Sequence, residues 1–281
     1  KTWVDESTAL LNSAPSFELT APRADTPDAQ EQTVVAEPTR QETVKKDYQI
    51  ILTEAELSLW VEKIKIAPLV AVDTETTSLD YMRAELVGIS LAVKPYEAAY
   101  IPFGHDYMGA PDQLSQELVL ETLKPYLEDP AIKKVGQNIK YDISVLAQHG
   151  IVLQGVAFDT MLESYVLDSV ATRHDMNSLA ENYLNETTIS FNDVAGKGSA
   201  QLTFNQVSLE QALPYAAEDA DITLRLHQTL WSQVNSEPAL DRVFTDIELP
   251  LISVLSRIER TGAKVDDTLL FQQSQELSER L

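Results

Sequence analysis

Leu69-Val70-Ala71-Val72-Asp73-Thr74-Glu75-Thr76 sets an unbroken apolar run, placed just after Pro68, directly against two carboxylates. A short continuous apolar run bounded by a proline fits a strand buried at the centre of a sheet. Side chains two apart on a strand share a face, so Asp73 and Glu75 aim at one spot. Strand ends are where α/β sheets commonly build their sites. A lone D-x-E more often marks a solvated loop, so this pair needs partners elsewhere in the chain before it reads as chemistry.

Working outward, Tyr48 to Leu52 reads as a short strand, and Thr53-Glu54-Ala55-Glu56 supplies a capping box for a helix through Trp60 to about Ile66. On the other side, Leu86 to Val93 and Ala98 to Ile101 complete a hairpin-like meander of three strands. Helical spacing then takes over in Leu114 to Leu127. Lys133 to Val135 is a short strand leading into a helix over Ile139 to His149, and Phe158 opens a strand-to-helix turn with Met161 to Leu167 helical. Gly196-Lys197-Gly198-Ser199 reads as a mobile loop, and Ser208 caps a long helix to about Trp231. Strands first and helices after predict an α/β domain with a mixed sheet.

The flanks differ in composition. Residues 12–46 are rich in Pro, Thr, Glu, Gln and Ala without apolar periodicity, the pattern of a disordered linker, and Trp3 to Leu11 fits the end of a preceding element. Beyond Asn235 a second unit is expected. A helix over Asp241 to Arg260 is kinked or interrupted at Pro250 and stopped by Gly262, a strand covers Ala263 to Val265, and a helix from Asp267 is still running at Leu281. The expected boundaries are therefore 1–46 for the linker, 47–235 for the α/β domain and 236–281 for the start of another. The beginning at Lys1 and the end inside a helix both suggest a piece of something longer.

Cysteine is absent and the four histidines are scattered, which excludes disulfides and thiolate sites and argues against zinc. A metal here would be a hard cation held by oxygen. The net charge of −23 runs against a nucleic-acid partner at first sight, because phosphate binders are usually basic. It is compatible with one if part of the acid forms a cluster that divalent cations neutralise. No apolar run approaches the ~20 residues that span a bilayer, so no membrane partner is expected and a reducing cytoplasm fits.

Two more pairs supply the missing partners. Asn138 and Asp142 lie four apart at the start of a helix, and Tyr215 and Asp219 repeat that spacing on a later one, each pair on a single helix face. Together with Asp73 and Glu75 they make a ligand set for two hard cations. The stretches Val72-Asp73-Thr74-Glu75-Thr76, Gly136-Gln137-Asn138-Ile139-Lys140-Tyr141-Asp142 and Tyr215-Ala216-Ala217-Glu218-Asp219 resemble, in order and separation, the three motifs of the DEDD exonuclease superfamily in its tyrosine subtype. Phe158-Asp159-Thr160-Met161-Leu162-Glu163-Ser164-Tyr165, Ala195-Gly196-Lys197-Gly198 and the segment from Pro250 to Arg260 extend the similarity to the proofreading domains of bacterial family A DNA polymerases.

That resemblance implies a ribonuclease H-like mixed sheet flanked by helices, with the first helices of a polymerase domain at the C-terminus. It implies 3′-5′ hydrolysis of DNA to 5′-mononucleotides with two divalent cations, Mg²⁺ or Mn²⁺. Asp73 would bridge both cations, Glu75 and Asp219 would complete the tighter site, and Asp142 would hold the second through its water shell. Tyr215, with Glu75, would orient the attacking water. Leu79 and Phe191 would pack on the terminal bases, Gln137, Asn138 and Tyr141 would touch sugar or phosphate, and Arg173 would touch the strand. The partners implied are a single-stranded or frayed 3′ end of DNA and the polymerase domain of the parent chain, with the protein a monomer. The alternatives are an RNase D-like exoribonuclease and a catalytically silent scaffold domain.

Several features are set aside. Gly196-Lys197-Gly198-Ser199 lacks the spacing of a phosphate-binding loop, and His174-Asp175 has no nucleophile beside it. Glu218 and Asp221 fall off the Tyr215–Asp219 face and are expected on the helix surface. His105-Asp106-Tyr107 reads as a loop.

Overall fold

The apolar run forms strand β2 (Val70–Thr76) in the computed structural model, which describes residues 45–171 and 173–281. The other strands are β1 (Asp47–Ile50), β3 (Leu86–Lys94), β4 (Glu97–Pro102), β5 (Lys134–Gly136) and β6 (Val156–Asp159). They form one six-stranded sheet in the order β1-β4-β3-β2-β5-β6. β2, β3 and β4 make the antiparallel meander, whereas β1 on β4, β5 on β2 and β6 on β5 are parallel pairs. Parallel neighbours need crossovers, supplied by α1 (Glu54–Ile66), α2 (Gln116–Leu127) and α3 (Lys140–Gln148). The capping box forms as expected: Thr53 Oγ1 accepts from the Glu56 N–H, and the Glu56 carboxylate accepts from the Thr53 N–H.

Alternation along β2 divides the core. Val70 and Val72 pack with Trp60 of α1, Leu123 of α2 and Val145 of α3. After α4 (Thr160–Leu167), α5 (Met176–Leu179) and α6 (Phe191–Ala195) comes the long helix α7 (Leu209–Val234), and Ala71 points to the opposite face, where Ala217, Ala220 and Leu224 of that helix lie. α7 crosses β1 to β5. Alanines on both partners let the helix approach the sheet closely, while the larger side chains of the other face fill a thicker layer. Each fully buried Val, Leu or Ile there stabilises the fold by about 1.5–3 kcal/mol.

The C-terminal segment departs from expectation in one place, the strand expected at 263–265. α8 (Pro238–Val243) passes through a π-helical turn at Phe244–Glu248 into α9 (Leu249–Thr261), so the irregularity precedes Pro250. Pro250 follows that turn within one continuous helix; it has no N–H to donate and its ring crowds the carbonyl four residues back, at Asp246, so the π turn is where the helix accommodates the proline, the interruption expected at Pro250. The π turn seats Phe244, which is buried against Phe158 and Trp231. The strand expected at 263–265 does not form, because those residues are exposed and pair with no strand among the described residues. α10 (Asp267–Arg280) follows with Asp266 as its cap.

α9 packs on α3 through Ile252 in the main core, a Ser144–Ser256 hydroxyl contact of 3.0 Å and a Lys140–Glu259 ion pair of 2.6 Å. The described residues belong to one compact unit, Val44–Leu281. The expected linker lies outside the described residues apart from Lys45 and Lys46, and Lys46 is tied to Glu218 at 2.7 Å. Among the described residues no helix is long and apolar enough to cross a membrane.

Candidate active site

The parity of β2 carries the carboxylates. Asp73 and Glu75 continue the side of Ala71, toward α7, and there they meet Asp219. One oxygen from each of Asp73, Glu75 and Asp219 lies within 4.8 Å of the others. Ser90, opposite Asp73 on β3, places its hydroxyl 3.4 Å from Asp73 Oδ2. Thr74 faces the other way, toward α3. Its N–H and its hydroxyl both donate to Asp142 Oδ1, at 2.9 and 2.6 Å. The fourth carboxylate is thus locked to the same strand from the opposite side, next to the trio but outside it.

The turn that starts α3 is held by a residue whose role the motif reading did not isolate. Asp159, at the end of β6, caps α4 through Met161 N and Leu162 N, and its carboxylate also accepts from Asn138 N and Ile139 N. Asn138 adopts φ 57°, a left-handed conformation that asparagine tolerates better than most residues. We expect Asp159→Ala to lower stability by ~2–4 kcal/mol, since several buried N–H groups lose their acceptor. The midpoint of urea unfolding measures it.

A cleft of about 600 Å³ opens over these groups. Its lining includes the four carboxylates, Tyr215, Leu79, Phe191, Gln137, Asn138 and Tyr141, and, among the described residues, no lysine or arginine. Leu79 is 94% exposed and Phe191 37% exposed, with the Phe191 ring near those of Phe204 and Tyr215. The Tyr141 hydroxyl bonds Ser78 O at 2.6 Å and also touches the Thr76 hydroxyl. Gln137 is engaged at both ends, donating to His174 O at 2.9 Å and accepting from Thr160. Arg173 does not line the cleft; its side chain is exposed and pairs with Asp175.

The electrostatics are those of acids crowded without a counter-charge. Burial pushes Asp73 up to about 7, against the lowering hydrogen bonds from Ser90 and Thr74. Glu75 is raised well above the carboxylate range by burial and then by Asp73, Asp219 and Asp142. Asp142 and Asp219 are raised by burial and by Asp73. Tyr215 is pushed above its ordinary value by burial and by Asp219, Glu75 and Asp73, so it stays a neutral phenol. Glu75 Oε1 is buried with no hydrogen-bond partner. A buried orphan oxygen among converging carboxylates fits a hard divalent cation, for which an all-oxygen donor set is suited.

Two acids expected on the helix surface are buried instead. Glu218 accepts from Ile189 N and Lys46, and Asp221 accepts from Tyr48, the Tyr96 N–H and Arg225. The helix spacing was read correctly; what it missed is that α7 is covered on the flank facing β1 as well. The loop at His105 is a loop, yet its ring is buried, bonded to the Tyr100 hydroxyl at 2.7 Å and Val207 O at 2.9 Å. Thr74 and Ser90 also went unread, because a single hydroxyl in a strand carries no signal until its neighbour across the fold is known.

A family described as 3′-5′ exonuclease matches residues 48–235. DNA polymerase I of Pseudomonas aeruginosa is 60% identical over 237 residues, covering 84% of this chain and 26% of that protein. DNA polymerase I of Rhizobium leguminosarum is 42% identical, over 79% of this chain and 23% of that protein. The chain spans about a quarter of the length of these relatives. Among solved structures, the POL domain of Pol1 from M. smegmatis in complex with DNA primer-template and dNTP superposes with a TM-score of 0.64 at 21% identity, over 82% of this chain and 35% of that one. NrnC of Brucella melitensis gives 0.57 at 22% identity, over 79% and 98%. RNase D of Escherichia coli gives 0.53 at 22%, over 75% and 51%. At such identities these structures speak for the fold, while the sequence match speaks for the lineage: the chain belongs to the 3′-5′ exonuclease family represented in bacterial DNA polymerase I.

Proposed function

We propose that the chain removes nucleotides singly from the 3′ end of DNA, as the proofreading part of a DNA polymerase I, using two divalent cations, Mg²⁺ or Mn²⁺. The observation that carries this reading is the cleft lined by four carboxylates, with no basic side chain among the described residues that line it. Once these acids are ionised, a phosphodiester can enter only with cations to offset their charge. Asp73, Glu75 and Asp219 would hold one cation, and Asp142, facing Asp73, would share the other. Bound there, the two cations supply Lewis-acid stabilisation of the phosphoryl oxygens and of the leaving 3′ oxygen, and they activate water.

The protein's own groups do the orienting. Tyr215, kept neutral by its surroundings, offers its hydroxyl near Asp219 and Glu75 and is suited to aligning the attacking water rather than removing its proton. Leu79 and Phe191, apolar and exposed at the cleft, pack on the terminal bases without reading sequence. Asn138 reaches sugar or phosphate. Gln137 and Tyr141 act by holding the walls, and Arg173 contacts the strand beyond the cleft. Residues 47–235 are the exonuclease domain and 236–281 begin the polymerase domain of a monomeric, cytoplasmic parent protein.

The test is digestion of end-labelled single-stranded DNA and RNA with Mg²⁺, Mn²⁺ or EDTA. Release of 5′-mononucleotides from DNA that stops in EDTA supports the proposal. Preference for RNA would instead favour the RNase D-like alternative, and inertness the scaffold one. Tyr215→Phe should lower kcat by about 10–100-fold with KM little changed, because its hydroxyl acts on the reacting water and not on the bases.

A further inference from the structure

We propose that Glu218 is a positioning residue for the substrate strand: its carboxylate fixes the loop that presents Phe191 to the cleft, an inference that rests on the exonuclease reading above. Glu218 immediately precedes Asp219 on α7, yet its side chain takes another direction and is buried. Oε2 accepts the Ile189 backbone N–H at 2.7 Å, and Oε1 accepts from Lys46 Nζ at 2.7 Å. Ile189 stands two residues before Phe191. Between them, the Ser190 N–H and hydroxyl donate to Asp193 and open α6, whose first residue is Phe191. The tether therefore sets where α6 begins and where the Phe191 ring hangs, beside Tyr215 and Phe204. A buried carboxylate accepting a backbone N–H is charge-assisted, about twice as strong as a neutral pair.

The same device recurs across the cleft. Tyr141 precedes Asp142 on α3, and its hydroxyl donates to Ser78 O, one residue before the exposed Leu79. Each helix that offers a carboxylate thus uses the preceding residue to hold a loop bearing an apolar side chain. Grip on the bases and placement of the scissile bond are spaced by two helices, not by the loops themselves.

Steady-state kinetics of the full 281-residue chain on a single-stranded oligodeoxynucleotide with Mg²⁺ provide the test. Glu218→Met fills similar space without an acceptor, and KM should rise about tenfold, the scale of one lost stacking contact, with kcat within a factor of about three. Glu218→Gln keeps an oxygen for the Ile189 N–H and should restore KM. Combined with Phe191→Ala, Glu218→Met should add no further penalty, since both act through one contact. An unchanged KM in Glu218→Met, or penalties that multiply in the double variant, overturns the proposal. If Glu218→Met does not fold, or if the wild-type chain is inert and the exonuclease reading fails, hydrogen exchange decides the tether. An Ile189 amide as protected as the α7 core supports it, and exchange at the rate of a free loop overturns it.

Discussion

Asp219→Ala is expected to stop nucleotide release, lowering kcat by at least about 10³-fold, while raising the melting temperature of the metal-free chain. The two effects have one origin. Asp219 is among the three residues whose oxygens converge within 4.8 Å, so its removal dismantles the proposed cation site. Without a cation, its buried carboxyl is driven upward by burial, Asp73 and Glu218, which means that its charge opposes folding. Labelled-end digestion and a thermal melt in EDTA read the two outcomes on the same sample. Retained digestion would remove Asp219 from the machinery. Loss of both activity and stability would make it a packing residue.

The second large effect is a reversed dependence of stability on pH in the absence of metal. The Asp73 carboxyl holds its proton to about 7 in the folded chain, against an ordinary value of 3.8. A folded value raised above the unfolded one means that the folded state binds the proton more tightly. The stability gained is complete below the unfolded value and is lost as pH rises through about 7. Glu75, Asp142 and Asp219 are shifted in the same direction. In EDTA the melting temperature should therefore fall by ~5 °C or more between pH 5 and pH 8. Adding Mg²⁺ or Mn²⁺ at pH 8 should restore it by compensating the ionised acids, and cation binding near pH 7 should release protons. Calorimetry in two buffers of different ionisation enthalpy counts those protons. A melting temperature that is flat or rising over that range without metal would contradict the account.

Sequence disclosed the frame of this site and little of its bracing. The run from Leu69 to Val72 declared a central strand because four apolar side chains in succession have no other economical place. Asp73 and Glu75 followed from strand alternation, and the pairs Asn138–Asp142 and Tyr215–Asp219 from helical spacing. What stayed hidden depends on contacts between residues far apart in the chain. Thr74 and Asp142 are 68 positions apart, and Glu218 and Ile189 are 29 apart. Gly88 gave no sign of purpose either, although it lies opposite Glu75 and a Cβ there would run into the Tyr100 ring. The irregularity of the C-terminal helix was legible at Pro250, because a proline without an N–H disturbs the preceding helical turn wherever it stands. What stayed hidden is its form, a π-helical turn at Phe244–Glu248 that seats Phe244.

Strand β2 offers its odd-numbered carboxylates to one layer and its even-numbered threonine to the other. The site is in this sense a parity device. Sliding the strand by one position would not weaken the centre gradually but turn it inside out, handing Thr74 to α7 and both acids to α3. A single residue inserted within β2 ahead of Asp73 would therefore exchange the two faces, whereas one absorbed in the loop before Val70 would leave the parity untouched.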